Sequence, residues 1–395
     1  MASAHLAPPQ PAPPLNIPES SSTVKVSIVD TTAWITLPSG LLVHPLIKGN
    51  EIFAGPSLAF LIEHSNGSSS TTRKVLFDLG VRMDWMNLAK LVVDNFETYS
   101  MKVTIEKSLA DILQDGGVKY EEIEGLFWSH YHWDHTGDPS LFPPHTKLIV
   151  GPGFKDAFLP GFPANPKSPI LETDYANREF VELNFEESGL KLGRFGAVDY
   201  FGDGSFYLLD APGHTIAHVC GLARTTTNPD TFIFMGGDAC HHGGEFRPTK
   251  YLPLPKEISP HPFHTEASDA ATMPPCPGSI FEAIHHNKRP DEPFLYVPND
   301  DSGATYDVKE ATESIAKLTE FDCNEDVFTV IAHDPYLRGI VDFFPSSANE
   351  WKSKGWAKKG KWAFLKDFRP AVEEEQLRST EAGDFLEGKS VVNET

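Results

Sequence analysis

The sequence predicts an α/β fold in which β-sheets pack face to face beneath outer helices. Alternating apolar and polar residues at 24–29 and 32–37 are typical of strands. The apolar runs 57–64 and 73–78 flank an Asn-Gly pair, which predicts a hairpin. Strand and helix patterns then alternate along the chain, and this order favours a sheet-on-sheet core covered by helices.

Further periodic segments extend this pattern along the chain. Apolar residues at a 3.6-residue spacing predict a helix over 105–113, which two glycines then stop. Asp203-Gly204 lies between two strand-like runs and gives a second hairpin signal. Asp307 with Glu310 three residues later predicts the start of a helix in the C-terminal third.

The composition excludes several classes of protein. A chain of 395 residues with 40% hydrophobic content can bury a sizeable core. The net charge of −22 argues against a nucleic-acid partner, which clustered Lys and Arg would hold. No apolar run is long enough to span a membrane. The four cysteines form no CxxC pair, and the N-terminus lacks the regions of a secretory signal, so we expect a cytoplasmic protein without a membrane partner.

The segment 127–138 carries a high density of potential metal ligands. His130, His132, Asp134 and His135 follow the pattern His-x-His-x-Asp-His. Neutral imidazole and carboxylate oxygen are ligand types that Zn²⁺ and similar divalent ions prefer. A His-rich surface loop that binds nothing is the alternative. Four such residues directly after an apolar run favour a metal site, and one short loop could supply half of the ligands of two adjacent metals.

The motif resembles that of the metallo-β-lactamase-fold hydrolases, and further landmarks follow in the family's order. They are Asp78 in Asp-Leu-Gly after a strand, His214 in Ala-Pro-Gly-His-Thr, Asp238 in Met-Gly-Gly-Asp, and His333 after the strand-like run 327–332. The resemblance covers roughly residues 23–345. It implies the four-layer αββα metallo-β-lactamase fold, with two packed mixed sheets and helices outside.

The resemblance also implies a site for two Zn²⁺ per chain, although Mn, Fe or Co suit similar ligands. The implied ligands are His130, His132 and His214 for one ion, Asp134, His135 and His333 for the other, and Asp238 as the bridge. Two ions roughly 3.5–4 Å apart lower the pKa of a shared water, which gives a metal-bridging hydroxide. Asp78 is implied as the hydrogen-bond partner of a ligand histidine, or else it caps a turn.

Three residues are candidate catalytic groups. Asp134 could pass a proton to the leaving nitrogen or oxygen. Lactone-hydrolysing members carry a tyrosine three residues after the bridging aspartate, where this chain has His241, followed by His242. Either histidine could donate a hydrogen bond to the substrate carbonyl or leaving group, or could be structural. The surrounding Gly-Gly-Asp-Ala-Cys-His-His-Gly-Gly-Glu run is similar to a fungal branch that contains hydrolases of lactones and lactams.

The expected function is that of a dinuclear zinc hydrolase, lactonase-like or lactamase-like, which opens a cyclic ester or amide. The substrate is expected to be a small neutral carbonyl compound, and the role to lie in xenobiotic detoxification or secondary metabolism. The alternatives are a thioesterase of the same fold, an iron-dependent oxidoreductase and a non-enzymatic metal-binding protein. The complete second ligand set, and tails too short for a flavin domain, disfavour the oxidoreductase. The oligomeric state is left open.

Composition also divides the chain into segments. We expect a disordered tail at 1–22, a catalytic domain at 23–345 with a Pro-rich cap insertion at 243–305, a C-terminal docking helix at 346–370, and a disordered acidic tail at 371–395. The aromatic loop 151–175 is interpreted as a pocket wall or a surface connection. Basic and aromatic residues at 351–369 could bind nucleic acid or membrane, but we favour aromatic side chains docked on the core.

Overall fold

The computed structural model describes residues 4–65, 72–263, 274–299 and 304–378. The strands in these ranges are β1 (Val24–Pro38), β2 (Ile52–Ser65), β3 (Thr72–Phe77), β4 (Lys102–Thr104), β5 (Ile123–Phe127), β6 (Lys147–Val150), β7 (Phe180–Glu182), β8 (Leu190–Leu192), β9 (Phe195–Asp199), β10 (Phe206–Asp210), β11 (Val219–Thr226), β12 (Thr231–Met235), β13 (Glu257–Ile258), β14 (Cys276–Pro277) and β15 (Val327–Val330). The helices are α1 (Lys90–Thr98), α2 (Leu109–Asp115), α3 (Trp133–Thr136), α4 (Phe154–Phe158), α5 (Glu172–Tyr175), α6 (Phe185–Ser188), α7 (Ser279–Ile284), α8 (Val308–Asp322) and α9 (Trp356–Gly360). None of the described helices is both long enough and apolar enough to cross a bilayer.

Two mixed sheets form the centre of the fold. The first has seven strands in the order β4-β1-β2-β3-β5-β6-β7, and its strands β3, β5, β6 and β7 run parallel. The second has six strands in the order β15-β12-β11-β10-β9-β8, which are antiparallel except for the pair β12 and β15. The predicted hairpins are present as the pairs β2–β3 and β9–β10, although the Asn66-Gly67 turn lies outside the described residues.

The two sheets pack against each other and carry helices on their outer faces. Phe77 of the first sheet shares one buried cluster with Phe206 and Met235 of the second. On the outer side of the first sheet, α2 contributes Leu113 to a separate apolar cluster. On the outer side of the second sheet, α8 contributes Leu318. Burial of apolar surface on both faces of each sheet therefore produces four layers, and the predicted αββα fold is confirmed.

Local boundaries differ from the sequence prediction at two places. The two predicted N-terminal strands form the single strand β1, whose register with β2 shifts between Asp30 and Trp34 as at a β-bulge. Helix α2 begins at Leu109 rather than at residue 105, because the Ser108 hydroxyl accepts a hydrogen bond from the Asp111 N–H and caps the helix there.

The N-terminal segment is ordered from residue 4, in contrast to the predicted disordered tail. The Leu6 N–H donates to the Leu254 carbonyl at 2.9 Å, and the Gln10 N–H donates to a carbonyl of the same insertion. Leu15 is buried in the cluster beneath the second sheet. The buried Arg224 guanidinium donates to the Pro18 carbonyl at 2.6 Å. These long-range contacts, which composition alone does not reveal, hold the segment on the protein.

The insertion and the C-terminal segment pack against each other. Within the described residues, the insertion has only short regular elements, which are a 3-10 helix (Gly243–Glu245), β13, β14 and α7. Its Phe294 and Leu295 share a buried cluster with Phe364 and Phe368. The segment predicted as one docking helix instead contains α9, a 3-10 helix from Ala363 to Phe368, and a helical stretch over 369–378. Of the predicted acidic tail, residues 379–395 lie outside the described part.

Candidate metal centre

The candidate ligands follow the carboxyl ends of strands from both sheets. Strand β5 leads into the His-x-His-x-Asp-His loop, and β3, its parallel neighbour, leads into Asp78. In the second sheet, β10 precedes His214, β12 precedes Asp238 and β15 precedes His333. Because β12 and β15 are parallel, their carboxyl ends lie at the same edge of the sheet. One edge of the sandwich therefore collects side chains from both sheets.

The seven candidate metal ligands lie together in two groups. In each group, one ligand-type atom from every residue lies within 4.8 Å of the others: the first contains His130, His132, His214 and Asp238, and the second contains Asp134, His135 and His333. Six of the seven residues are buried, and His132 is half-buried. Imidazole nitrogens and carboxylate oxygens at this density match the donor set of a divalent transition-metal centre.

Asp238 lies between the two groups and faces both. Its Oδ2 is 3.6 Å from the Nε2 atoms of His130 and His214. Its Oδ1 is 3.1 Å from the Nε2 atoms of His135 and His333. Each oxygen thus points to the imidazoles of a different group, which is the arrangement that a carboxylate shared by two cations requires.

The chemistry of the buried nitrogens fits a metal. Nε2 of His130 and Nε2 of His135 are buried and have no hydrogen-bond partner among the described residues. Leaving such atoms unsatisfied costs about 1–3 kcal/mol each. A divalent cation that accepts the lone pairs of these nitrogens would satisfy them, so the residues present fit a metal at this position.

The pKa values of the imidazoles differ between the groups. Burial first, and then the neighbouring histidines, hold the pKa values of His130 and His214 well below the ordinary value, and burial lowers the pKa of His132 to about 4. These rings are therefore neutral, which is the form that binds metal. Burial, the largest single cause, acts to lower the pKa values of His135 and His333 as well, but the carboxylates of Asp238 and Asp134 together raise both pKa values above the ordinary one, with Asp78 adding to the effect at His135. The negative charge of these carboxylates thus attracts positive charge into the second group.

Asp78 supports one imidazole in each group through hydrogen bonds. His135 Nδ1 donates to Asp78 Oδ2 at 2.9 Å. The Ser129 N–H and hydroxyl donate to the two carboxylate oxygens at 2.7 and 2.8 Å. The Ser129 oxygen lies 3.0 Å from His130 Nδ1 and accepts a hydrogen bond from it. Both imidazoles are therefore held with Nε2 towards the centre. Ser129 was not predicted from the sequence, because a serine within the motif gives no spacing signal.

The structure separates the two adjacent histidines that the sequence grouped together. His241 Nε2 is 3.4 Å from Asp238 Oδ2, is buried, and has no hydrogen-bond partner among the described residues. His242 Nε2 instead donates to Asp367 Oδ2 at 3.0 Å, and its Nδ1 accepts from the Gly244 N–H. Glu245 accepts hydrogen bonds from the backbone N–H groups of both histidines and so helps to hold their side chains in different directions. Only His241 faces the candidate centre, and His242 secures the C-terminal segment.

A cavity of about 400 Å³ opens onto the candidate centre. His132, Asp134, His214, Asp238, His241 and His333 line its floor, and its walls are mainly apolar, with Leu37, Leu42, Phe53, Val92, Met101, Tyr131 and Trp133 among them. From the loop 151–175, Phe158 lines the cavity, whereas Phe154 is buried in the core and Phe162 packs in a separate cluster. From the insertion, Ala304 is the one described residue that lines it. A substrate of mainly apolar character fits such walls.

Comparison with known proteins gives a family and several relatives. The family model described as Metallo-beta-lactamase superfamily matches residues 52–225. Gamma-lactamase FDB1 of Fusarium pseudograminearum (strain CS3096) is 42% identical over 385 residues, which cover 97% of this chain and 91% of that protein. Cytochrome P450 monooxygenase mpaDE' of Penicillium brevicompactum is 43% identical over 368 residues, which cover 91% of this chain but only 39% of that longer protein.

Among solved structures, a mutant of AiiA from B. thuringiensis with N-decanoyl-L-homoserine bound at its active site has a TM-score of 0.52 and 16% sequence identity. The superposition covers 82% of this chain and 99% of the AiiA chain. At this level of identity the likeness concerns the fold.

Proposed function

The chain belongs to the metallo-β-lactamase superfamily, and we propose that it is a metal-dependent hydrolase that opens a lactone or a lactam. The observation that carries the proposal is the position of Asp238, with one oxygen towards each group of imidazoles. The gamma-lactamase that is 42% identical over nearly the whole chain supports cyclic amides as a substrate class. The apolar cavity above the centre supports a small, uncharged carbonyl compound.

We propose that the seven candidate residues hold two Zn²⁺ ions, with Asp238 shared between them. Nitrogen and oxygen donors suit zinc, although the same set also accepts Mn, Fe or Co. Bound ions would polarise the substrate carbonyl and lower the pKa of water at the centre. The imidazoles would hold the ions, and Asp78 and Ser129 orient the imidazoles.

Two further side chains have roles in the proposed reaction. His241 Nε2 faces the centre and would donate a hydrogen bond to the carbonyl oxygen as negative charge develops there. Asp134 lines the cavity, with Oδ2 3.5 Å from His333 Nε2. Its carboxylate would accept the proton of the attacking water and pass it to the leaving nitrogen or oxygen as the bond from that atom to the carbonyl carbon breaks. The apolar walls exclude bulk water and strengthen these electrostatic interactions.

The proposal is tested by metal analysis combined with a hydrolysis screen. The purified protein should contain about two metal ions per chain and should hydrolyse members of a panel of lactones and lactams. Thioesters in the same panel test a thioesterase, the main alternative. Activity should disappear with a chelator and return with Zn²⁺. A metal-free preparation that stays fully active would contradict the mechanism.

Asp238→Asn and His132→Ala test the ligand assignment directly. Both variants should lose metal, because the first removes the shared charge and the second removes a ligand. Wild-type metal content and rate in Asp238→Asn would show that the shared ligand is misassigned.

We further propose a cytoplasmic location and a role in detoxification or secondary metabolism. Localisation of a tagged protein would test the first, and the toxin sensitivity of a deletion strain would test the second.

A further inference from the structure

His218 is a buried histidine beside the candidate centre that is not a candidate ligand. Its side chain is 0% exposed, and its ring centroid lies 5.3 Å from that of His130. Both of its ring nitrogens are bonded to the main chain. Nδ1 donates to the Ala211 carbonyl at 3.0 Å, and Nε2 accepts from the Asp238 N–H at 3.0 Å. With both nitrogens engaged, the ring has no lone pair for a metal.

The two main-chain partners of His218 belong to two different loops of the second sheet. These loops carry His214 and Asp238, two members of the first metal group. Ala211 begins the loop that carries His214, and Asp238 is the shared carboxylate. The Ala211 N–H also donates to the His218 carbonyl at 3.1 Å, so this loop is closed at its base. Ala217 has φ of +66°, which a non-glycine residue rarely adopts. The loop is therefore held in one conformation, with the imidazole of His218 directed to the Asp238 loop.

The Asp238 loop is shaped to receive this imidazole. Gly237 has φ of +50°, and a Cβ atom there would lie 2.8 Å from His218 Nε2 and 3.0 Å from the Ser129 Cβ. A side chain at this position would push the ring away from the Asp238 N–H. Glycine is thus required both by the backbone conformation and by the close approach of the ring.

We propose that His218 is a positioning residue that couples the His214 loop to the Asp238 backbone and so sets the spacing of the first metal group. The inference rests on the proposed metal-dependent function. Without the imidazole, the Asp238 N–H would be buried without an acceptor, and the carboxylate would lose its fixed orientation. Partners that orient ligands in this way are typically worth about 10–100-fold in metal affinity.

Two substitutions separate the two hydrogen bonds. In His218→Asn, the amide nitrogen can take the place of Nδ1 and donate to the Ala211 carbonyl, but the Asp238 N–H loses its acceptor. In His218→Gln, the amide oxygen can reach the place of Nε2 and keep the Asp238 contact. We expect the Asn variant to bind Zn²⁺ about 10–100-fold more weakly and to show an altered Co²⁺ absorption spectrum, whereas the Gln variant keeps both near wild type.

His285 offers a matched control. It is 1% exposed, its Nε2 donates to the Pro293 carbonyl at 2.9 Å, and its Nδ1 accepts from the Asn287 N–H at 3.1 Å. It therefore bridges main-chain groups as His218 does, but within the insertion. His285→Asn should lower the melting temperature of the metal-free protein and leave Zn²⁺ affinity and the Co²⁺ spectrum unchanged.

Affinity is measured by competition with a chromophoric chelator, and melting temperature is measured on the metal-free forms. If wild-type protein binds no metal, the proposed function fails. If wild-type protein binds metal and His218→Asn matches it in affinity and spectrum, the positioning role fails while the function stands. Equal losses of Zn²⁺ affinity in His218→Asn and His285→Asn would also contradict the positioning role of His218. Should the Asn variant not fold, a ten-fold or larger loss in His218→Gln would contradict the inference.

Discussion

At the scale of single residues, one carboxylate supports imidazoles in both candidate metal groups. Asp78 contacts His135 directly and His130 through the Ser129 hydroxyl. Its φ of +61° lies in the left-handed region, where Asp and Asn are tolerated better than most residues. The turn after β3 therefore requires a short polar side chain, and the same side chain fixes two tautomers.

Asp78→Asn should weaken metal binding without disturbing the turn. Asparagine tolerates the same backbone conformation but lacks the negative charge that both imidazoles depend on. We expect Zn²⁺ affinity to fall about 10–100-fold in a chelator competition assay. Ser129→Ala should cause a smaller loss, because it breaks the link to His130 but leaves the direct hydrogen bond between Asp78 and His135 in place. A larger loss in Ser129→Ala than in Asp78→Asn would contradict this order.

His241→Ala and His242→Ala should have different effects. The first removes a donor that faces Asp238, so the rate should fall by about 10²–10³ while metal content stays the same. The second removes the hydrogen bond to Asp367, so the melting temperature should fall and the rate should change little. Rate, metal content and melting temperature are measured on the same preparations. If the rate falls only in His242→Ala, the roles are reversed.

The sequence predicted some of these residues and missed others. His130, His132, Asp134 and His135 lie within six residues, so local spacing alone predicted them. The other candidate ligands lie about 80 to 200 residues further on, and only a family resemblance connected them. Ser129 and His218 were missed because their function depends on hydrogen bonds to groups that no spacing pattern marks. His242 was grouped with His241 by adjacency, whereas the backbone turns them in opposite directions.

At the scale of elements, the C-terminal segment is part of the core. Trp351 and Trp356 belong to the same buried cluster as Phe77 and Phe206 of the two sheets. The Trp351 ring is stacked on Phe328 of β15, with centroids 5.5 Å apart. This segment was predicted as a docking helix with its aromatic side chains on the core. Trp351 and Trp356 do lie in the core, although the segment is not a single helix.

Trp351→Ala should destabilise the protein strongly. Its side chain is 1% exposed, and truncation of a buried tryptophan costs about 3–5 kcal/mol through lost burial and the cavity left behind. The free energy of unfolding is measured by urea denaturation. Lys358→Ala in the same segment is the control, because Lys358 is exposed and should change stability by less than about 0.5 kcal/mol. Similar values for both variants would show that the segment does not contribute to the core.

The N-terminal segment shows why composition misled the prediction at this scale. Its prolines and lack of periodicity are typical of disorder. A segment without regular structure can still be ordered when its backbone groups find partners elsewhere, as those of Leu6 and Gln10 do in the insertion. Strands and helices carried a periodic signal and were predicted well, whereas irregular segments held by tertiary contacts were not.

At the scale of the whole molecule, metal removal should lower thermal stability. A ligand that binds only the folded state at one hundred times its dissociation constant stabilises that state by about 2.7 kcal/mol. We therefore expect a chelator to lower the melting temperature of the wild-type protein and excess Zn²⁺ to restore it. The chelator should have little effect on Asp238→Asn, which has already lost metal. An unchanged wild-type melting temperature would contradict binding at this buried centre.

The position of the centre between the sheets also affects how the chain folds. His135 follows a strand of the first sheet, and His333, in the same group, follows the last strand of the second sheet about 200 residues later. An ion held by both would act as a cross-link that closes this long stretch of chain, and it could bind only after the two halves have docked. In the metal-free protein, amide hydrogens near Asp238 and His333 should therefore exchange with solvent earlier than those in the strands behind them.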